Sequence, residues 1–254
     1  MALFRGDIRS SVLQMDTSVS VILPYDRPVE HQQQPCKVLY LLHGIKLNST
    51  GWPRWTNLET YAKETGIAVV VPEGYRGFYT DMVYGPAYYT FFSQELPDLC
   101  CKMFGISDRR EDTFAAGLSM GGYGALKLAL RSPQRFGAAA SFSATADPLD
   151  FALHMGGELT VREAPSIWGT DLRLQPEDDL FALAKQAAAL PRAQRPRLYA
   201  CCGTEDGLYP QNLRLKAALE DLPLDFTFES WHGVHNWDFW EVALQKGIRF
   251  FLNQ

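Results

Sequence analysis

The sequence contains the pentapeptide Gly117-Leu118-Ser119-Met120-Gly121, which stands between the apolar run Thr113–Leu118 and a stretch of helical character over residues 123–130. A serine on a tight turn between a strand and a helix is typical of a nucleophile elbow, in which the backbone is strained and the hydroxyl is exposed. Gly117 and Gly121 leave room for the strand and the helix to approach each other closely. The positive end of the helix would also face an oxyanion formed beside the serine. The pattern therefore predicts that Ser119 is a nucleophile.

Composition and charge exclude several classes of protein. The 254 residues are 46% hydrophobic and 21% charged, which is enough apolar mass for one sizeable core, so we expect a single domain over residues 1–254. The net charge of −5 includes no basic run that would bind nucleic acid, and no run of about 18 apolar residues could span a bilayer. We expect neither nucleic acid nor a membrane as a partner. The sequence leaves open whether the chain forms a homo-oligomer.

The cysteines bear on the cellular compartment. There are five, an odd number, and four of them form the adjacent pairs Cys100-Cys101 and Cys201-Cys202, which suit a disulfide framework poorly. Residues 1–7 show no basic segment followed by an apolar one, so no secretory signal is visible. Reduced thiols in a cytoplasmic protein are the simplest account, and we expect that location.

Apolar runs alternate with helical patterns along most of the chain. Strands are predicted over residues 37–42, 67–72, 111–118, 136–143, 197–203 and 225–230, after an edge hairpin within 8–23. Helices are predicted over residues 52–64, 89–104, 123–130, 177–190, 212–222 and 238–252. Continuous apolar strands that alternate with helices predict an α/β fold of three layers with a mainly parallel central sheet.

Three connecting segments attract attention. Residues 25–37, with two prolines and His31, predict a surface connection. Residues 75–86 form a loop rich in aromatic residues, which either lines a binding pocket or packs the loop onto the body. Residues 144–196 are the longest stretch without a clear strand, which predicts an insertion over the active site; Met155 and Trp168 are candidates to reach that site.

A serine nucleophile needs a base within hydrogen-bond reach and a carboxylate that orients the base. Serine hydrolases of the α/β type supply these groups in the order serine, acid, histidine, each from a loop after a strand. This chain offers Ser119, then Asp206 or Glu205, then His235 or His232. We favour Asp206 because its shorter side chain sits one residue further into the turn. The spacing from the preceding strand does not decide between the two histidines.

Residues around His43-Gly44-Ile45 follow an early central strand, where such enzymes place the second donor of an oxyanion hole. Backbone N–H groups of Gly44 and Ile45 are the candidates, and His43 is expected to be a structural, hydrogen-bonded residue. His232 and His235 form a His-x-x-His pattern without a third ligand of suitable spacing, and no motif for a cofactor is found. We therefore expect neither a metal nor a cofactor.

Motifs along most of the chain resemble the esterase D-like group of α/β hydrolases, and within it the bacterial tributyrin esterases. The matching segments are residues 41–44, Trp52, residues 79–81, 88–89, 95–97, 113–124, 139–143, 202–203, Asp206, residues 208–209, His235, Trp237 and Trp240. The resemblance implies that Asp206 is the acid, that His235 is the base, and that the N–H groups of Ile45 and Met120 form the oxyanion hole. It also implies an α/β-hydrolase fold and ester hydrolysis. No long apolar lid is evident in the sequence, so we expect short-chain acyl or small aryl esters as substrates.

One departure and several alternatives accompany this resemblance. Tributyrin esterases tend to carry glycines where this chain has Ile45-Lys46-Leu47-Asn48. The resemblance therefore does not determine the width of the pocket. The same fold group includes S-formylglutathione hydrolases, feruloyl and acetylxylan esterases and mycolyl transferases, so the family does not fix the substrate. The alternatives are a feruloyl or acetylxylan esterase, acyl transfer to an acceptor other than water, and a non-catalytic binding protein on this scaffold.

Overall fold

Eight strands pair into one sheet in the computed structural model, which describes residues 1–26 and 35–253. In chain order they are β1 Ala2–Ser10, β2 Met15–Leu23, β3 Val38–Leu42, β4 Ala68–Pro72, β5 Thr113–Leu118, β6 Ala138–Phe142, β7 Arg197–Gly203 and β8 Asp225–Trp231. Their spatial order is β1-β2-β4-β3-β5-β6-β7-β8. Most of the predicted connection over residues 25–37, namely residues 27–34 with His31 among them, lies outside the described residues.

The direction of the strands confirms a mainly parallel sheet. Strands β3 to β8 are parallel to their neighbours in that group, whereas β2 pairs antiparallel with both β1 and β4. The five residues of β3, β4 and β6 and the six residues of β5 are all buried. This agrees with the continuous apolar runs, since a strand with both faces covered has no side that requires polar residues.

Helices fill the connections between the strands. They are α1 Gly51–Trp55, α2 Leu58–Thr65, α3 Tyr88–Thr90, α4 Leu96–Phe104, α5 Met120–Arg131, α6 Pro148–His154, α7 Gly157–Trp168, α8 Leu180–Ala188, α9 Tyr209–Glu220 and α10 Trp237–Leu252. A π-helical stretch, Phe91–Glu95, joins α3 to α4. Across the described ranges, no helix is both long and apolar enough to cross a membrane.

Successive strand residues pack on opposite faces of the sheet. Tyr40 and Val70 contribute to a core on the side of α4, α5, α8 and α9, while Leu39 and Val69 contribute to a second core on the side of α2 and α10. The two cores, with the sheet between them, make the three layers that the sequence predicts.

The amino-terminal hairpin differs from the prediction in its position. β1 begins at Ala2, before the predicted start at residue 8, and Val12 and Leu13 lie in the turn between Ser10 and Met15. Leu13 is nevertheless buried, and the Glu95 carboxylate accepts the N–H groups of the turn. The apolar pattern at these positions therefore reports packing, not strand conformation.

The segment 144–196 contains no strand, as predicted, but it holds α6 and α7 in addition to the predicted α8. It starts beside the nucleophile turn, where the N–H of Thr145 donates to the carbonyl oxygen of Ser119 at 3.2 Å. Its function as an insertion that governs the substrate stays a prediction.

Candidate active site

Ser119 occupies the turn between β5 and α5. Its backbone has φ of 55° and ψ of −118°, a conformation that residues with a Cβ rarely adopt, and its N–H donates to the carbonyl oxygen of Phe142 at 2.9 Å. A Cβ on Gly117 would lie 2.4 Å from the Gly121 carbonyl oxygen, and one on Gly121 would lie 2.4 Å from the Leu42 carbonyl oxygen. The two glycines thus permit the close approach that a nucleophile elbow needs.

Asp206 and His235 form a hydrogen-bonded pair. The Nδ1 atom of His235 lies 2.7 Å from Oδ2 of Asp206, and the other carboxylate oxygen accepts the N–H of Leu208 at 2.8 Å. Burial raises the pKa of Asp206, but the hydrogen bond and charge of His235, the N–H of Leu208 and the hydroxyl of Ser143 outweigh it, so the net pKa is lowered. The carboxylate is therefore held in its charged form facing the imidazole.

The neighbouring Glu205 and His232 form a second pair that faces solvent. The Nδ1 atom of His232 lies 3.2 Å from Oε2 of Glu205, and the His232 side chain is 93% exposed. The same oxygen accepts the N–H of Gly233 at 2.7 Å, and this bond is the main reason that the pKa of Glu205 falls to about 2. Each histidine thus has its own carboxylate, and the Asp206 pair is the one whose acid is buried.

The three candidate catalytic side chains follow strands whose ends are level. One row of paired residues crosses the sheet shortly before their loops: Leu118, Phe142, Cys201 and Glu229. Ser119, Asp206 and His235 come one, five and six residues after their members of this row, at the same carboxyl edge of the sheet. Within the described part of the chain the Ser119 hydroxyl makes no hydrogen bond, so the structure places it at this edge without a bond to the imidazole.

The loop after β3 packs directly against the serine. A Cβ on Gly44 would lie 3.5 Å from the Cβ of Ser119 and 2.6 Å from Cδ1 of Leu118, so only glycine fits without a displacement. The backbone N–H groups of Ile45 and Met120 donate to no acceptor in residues 1–26 and 35–253. Two unused donors beside a nucleophile turn are what an oxyanion hole requires.

His43 is buried and hydrogen-bonded, as the sequence predicts. Its Nδ1 lies 2.8 Å from the Gly44 carbonyl oxygen, and its Nε2 lies 2.9 Å from the Gly74 nitrogen and 3.0 Å from Oε1 of Glu73. The hydroxyl of Tyr79 donates to the His43 carbonyl oxygen at 2.7 Å. Burial raises the pKa of Glu73, but His43 and backbone N–H groups together lower it by more than burial raises it, so the net pKa is lowered. Sequence reasoning missed Glu73, because nothing local marks it as the partner of His43.

The aromatic loop over residues 75–86 packs two of its four rings inward. Among the rings of this loop and its continuation, those of Phe78, Tyr79, Tyr88 and Tyr89 are buried, whereas Tyr75 is 43% and Tyr84 65% exposed. Of the two open alternatives, packing onto the body therefore accounts for most of these rings.

Met155 and Trp168 differ in their positions. A Cβ on Gly207, the residue after Asp206, would lie 3.8 Å from the Met155 methyl group, and Met155 is 45% exposed. Trp168 is buried against Phe78, with 5.0 Å between ring centroids. Met155 thus borders the site, and Trp168 belongs to the core.

The described ranges contain no cluster of potential metal ligands. No group of three or more His, Cys, Asp and Glu side chains there could hold a metal ion. His232 and His235 each contact a different carboxylate.

The chain is similar to known esterases along nearly its whole length. The model of the family described as "Putative esterase" matches residues 10–251. An acetyl esterase of Caldicellulosiruptor saccharolyticus is 29% identical over 267 residues, which cover 98% of this chain and 98% of that protein.

Two solved structures from Staphylococcus aureus share the fold. The fluorophosphonate-binding serine hydrolase FphF, solved with substrate bound, is 30% identical with a TM-score of 0.89, over 100% of this chain and 99% of that one. The S-formylglutathione hydrolase FrmB is 31% identical with a TM-score of 0.87, over 99% of both chains. Since the family model spans nearly the whole chain, and these relatives are esterases and serine hydrolases, the chain belongs to this esterase family and is a carboxylesterase with the α/β-hydrolase fold.

Proposed function

We propose that the protein hydrolyses short-chain acyl or small aryl esters through a triad of Ser119, His235 and Asp206. The observation that carries the proposal is the 2.7 Å bond from His235 to a buried Asp206, at the sheet edge where the strained Ser119 lies. A bond of this kind holds the imidazole in the tautomer whose Nε2 accepts a proton.

The proposed reaction proceeds through an acyl-enzyme. The hydroxyl oxygen of Ser119 attacks the ester carbonyl carbon while His235 takes the hydroxyl proton, and Asp206 stabilises the imidazolium that forms. The N–H groups of Ile45 and Met120 bind the oxyanion of the tetrahedral intermediate. The carbon–oxygen bond to the alcohol then breaks, and His235 gives its proton to the leaving oxygen. Water repeats the cycle on the acyl group and frees the serine.

The preference for short acyl groups is supported by the acetyl esterase relative and by the burial of Phe78 and Tyr79, which removes two rings of the aromatic loop from the surface. Exposed aromatic rings can stack on a cinnamoyl group, and this loop has two, Tyr75 and Tyr84. A feruloyl or acetylxylan esterase is the alternative substrate class. The proposal needs no partner besides the ester and water, and the cytoplasmic location stays a prediction.

The test is a panel of initial rates with p-nitrophenyl acetate through decanoate and methyl ferulate, on wild type and Ser119→Ala. We expect the wild type to favour the shortest acyl groups and the variant to lose activity, on the order of 10⁶-fold where a triad serine has been removed. A preference for methyl ferulate would move the substrate to plant phenolic esters. Equal activity of the two proteins would contradict the role of Ser119.

Two further alternatives are separated by the same preparations. Inertness of the wild type toward a fluorophosphonate probe, which labels an activated serine, would favour a non-catalytic binding protein. Ester products formed with added alcohols would indicate acyl transfer beside hydrolysis.

A further inference from the structure

Arg76 contacts the loop of the candidate oxyanion hole and has no part in the reaction proposed above. Its Nη1 donates to the carbonyl oxygen of Ile45 at 3.3 Å, and its Nη2 donates to Oγ1 of Thr160 at 3.0 Å. Its Nε lies 2.8 Å from both carboxylate oxygens of Glu163. One guanidinium thus joins the residue that carries an oxyanion donor to α7, which supplies Thr160 and Glu163.

The partners on α7 fix the direction of this guanidinium. The Thr160 hydroxyl donates to the carbonyl oxygen of Gly156 at 2.8 Å, so its oxygen faces Arg76 as an acceptor. The side chains of Arg76 and Glu163 are 30% and 28% exposed, which makes theirs a partly buried ion pair. The guanidinium is planar and its donors are rigidly spaced. Its contacts with Thr160 and Glu163 on α7 therefore direct Nη1 toward the Ile45 carbonyl oxygen.

The loop that carries Arg76 is itself held tightly. Tyr75, Phe78 and Tyr79 have φ values of 45°, 50° and 51°, a region that costs energy for residues with a Cβ and persists where the surroundings impose it. Tyr79 binds the carbonyl oxygen of His43. Arg76 therefore approaches Ile45 from a loop that is already bonded to His43, two residues before Ile45.

We infer that Arg76 is a positioning residue for the oxyanion hole, an inference that rests on the proposed function of the Ile45 N–H. A donor stabilises an oxyanion best at about 2.7–3.1 Å, so a loop that drifts loses transition-state binding more than substrate binding. Arg76 prevents the drift by holding the Ile45 carbonyl. Through Glu163 and Thr160 it also makes the geometry of the hole depend on α7, a helix of the 144–196 segment.

The test compares Arg76→Gln, Arg76→Lys and Thr160→Val with wild type on p-nitrophenyl butyrate. Loss of an oxyanion donor outright costs about 10²–10³-fold in kcat, so loosening one should cost less, about tenfold in Arg76→Gln, with KM little changed. Arg76→Lys should recover only part of kcat, because an ammonium cannot reproduce the fork. Thr160→Val, which removes one contact, should show the same change in smaller degree.

A second readout separates positioning from general stability. Butylboronic acid forms a charged tetrahedral adduct with an active serine, so its inhibition constant should rise by the factor by which kcat/KM falls. Titration with a fluorophosphonate counts the competent sites and corrects for misfolded protein. Arg162→Gln is the matched control, since Arg162 lies on α7 in an exposed pair with Glu158 and should keep wild-type values.

The outcomes are distinct. Wild-type kcat and boronate inhibition in Arg76→Gln, or a fall in kcat without weaker boronate inhibition, would overturn the role of Arg76. Activity of Ser119→Ala would overturn the proposed function instead, whatever the Arg76 variants show.

Discussion

Asp206 and Glu205 are adjacent carboxylates whose surroundings give them different chemistry. Asp206 is 4% exposed and bonds to His235, while Glu205 lies at the surface and bonds to the Gly233 N–H and to His232. Both have a lowered pKa, so charge alone does not distinguish them. Only Asp206 holds the imidazole of His235, and its proposed role as the acid rests on that contact.

Asp206→Asn and Glu205→Gln test this difference with the same chemical change at neighbouring positions. We expect Asp206→Asn to lower kcat by about 10⁴-fold, because an amide favours the wrong imidazole tautomer. Glu205→Gln keeps an oxygen that can accept the Gly233 N–H, so its kcat should fall far less. Both values come from steady-state kinetics on one ester. Equal losses in the two variants would contradict a role that belongs to Asp206 alone.

At the scale of residues, the sequence predicts functional groups that lie within a recognisable local motif. Ser119 stands in a motif, and the order of Asp206 and His235 along the chain narrows the choice of partners. Glu73 and Arg76 could not be predicted in the same way. Their partners lie 30 and 31 residues away at His43 and Ile45, or further along in α7, and nothing in the local pattern encodes such distances.

At the scale of elements, β5 and α5 meet at glycines because backbone contacts backbone there. A Cβ on Gly121 would lie 2.4 Å from the Leu42 carbonyl oxygen of β3 and 2.8 Å from the His43 carbonyl oxygen. Neither atom belongs to a side chain that could rotate away. The close contact therefore fixes where α5 starts, and with it the position of Ser119.

Gly121→Ala should destabilise the protein although alanine favours helices. The gain in helix propensity is about 0.5–1 kcal/mol, whereas overpacking a rigid site costs about 1–3 kcal/mol or more. Urea denaturation followed by circular dichroism would measure the difference in unfolding free energy. Gly6→Ala on β1 is the control, because no atom lies within 4 Å of its added Cβ. A Gly121→Ala protein as stable as wild type would mean that α5 shifts freely.

The type of an element was predictable where its apolar pattern was clear, as in the continuous run of β3 and the helical pattern of α10. The boundaries of elements were less predictable. The predicted helix over residues 52–64 is two helices in the structure: α1 ends at Trp55, and α2 begins at Leu58. The helices α6 and α7 were not predicted at all. In α7 the buried residues Thr160, Ala164, Ile167 and Trp168 do follow helical spacing. The exposed apolar residues Leu159 and Val161, and Pro165 within the helix, obscure that pattern in the sequence.

At the scale of the whole molecule, Lys127 joins three parts of the fold. It lies on α5 with no exposed surface, and its Nζ is 2.5 Å from Asp178 in the 144–196 segment. The same nitrogen donates to the Tyr79 carbonyl oxygen at 3.1 Å and to the Thr80 hydroxyl at 2.8 Å. The sequence shows this lysine inside an apolar helix but not its partners, which come from two other segments.

The burial of this pair has consequences for stability that a variant and a change of pH can measure. Lys127→Met leaves the Asp178 carboxylate without its ion pair, which typically costs about 3–5 kcal/mol. The double variant Lys127→Met, Asp178→Leu removes both charges and should recover most of that loss. Unfolding free energies at pH 7 test this, and a double variant less stable than the single one would contradict it.

The pH dependence has a definite sign. Desolvation lowers the pKa of Lys127 from 10.5 to about 8, and the charge of Asp178 offsets only part of this shift. Between these two values the unfolded chain still holds the proton that the folded chain has released, so the unfolding free energy contributed by Lys127 rises with pH. It is complete above 10.5 and lost as the pH falls through 8. Relative to the double variant, wild type should therefore gain about 1 kcal/mol per pH unit in this window, measured by urea denaturation at several pH values. Parallel curves for the two proteins would mean that the ammonium keeps its proton, and that the contacts of Lys127 with Asp178, Tyr79 and Thr80 outweigh its burial.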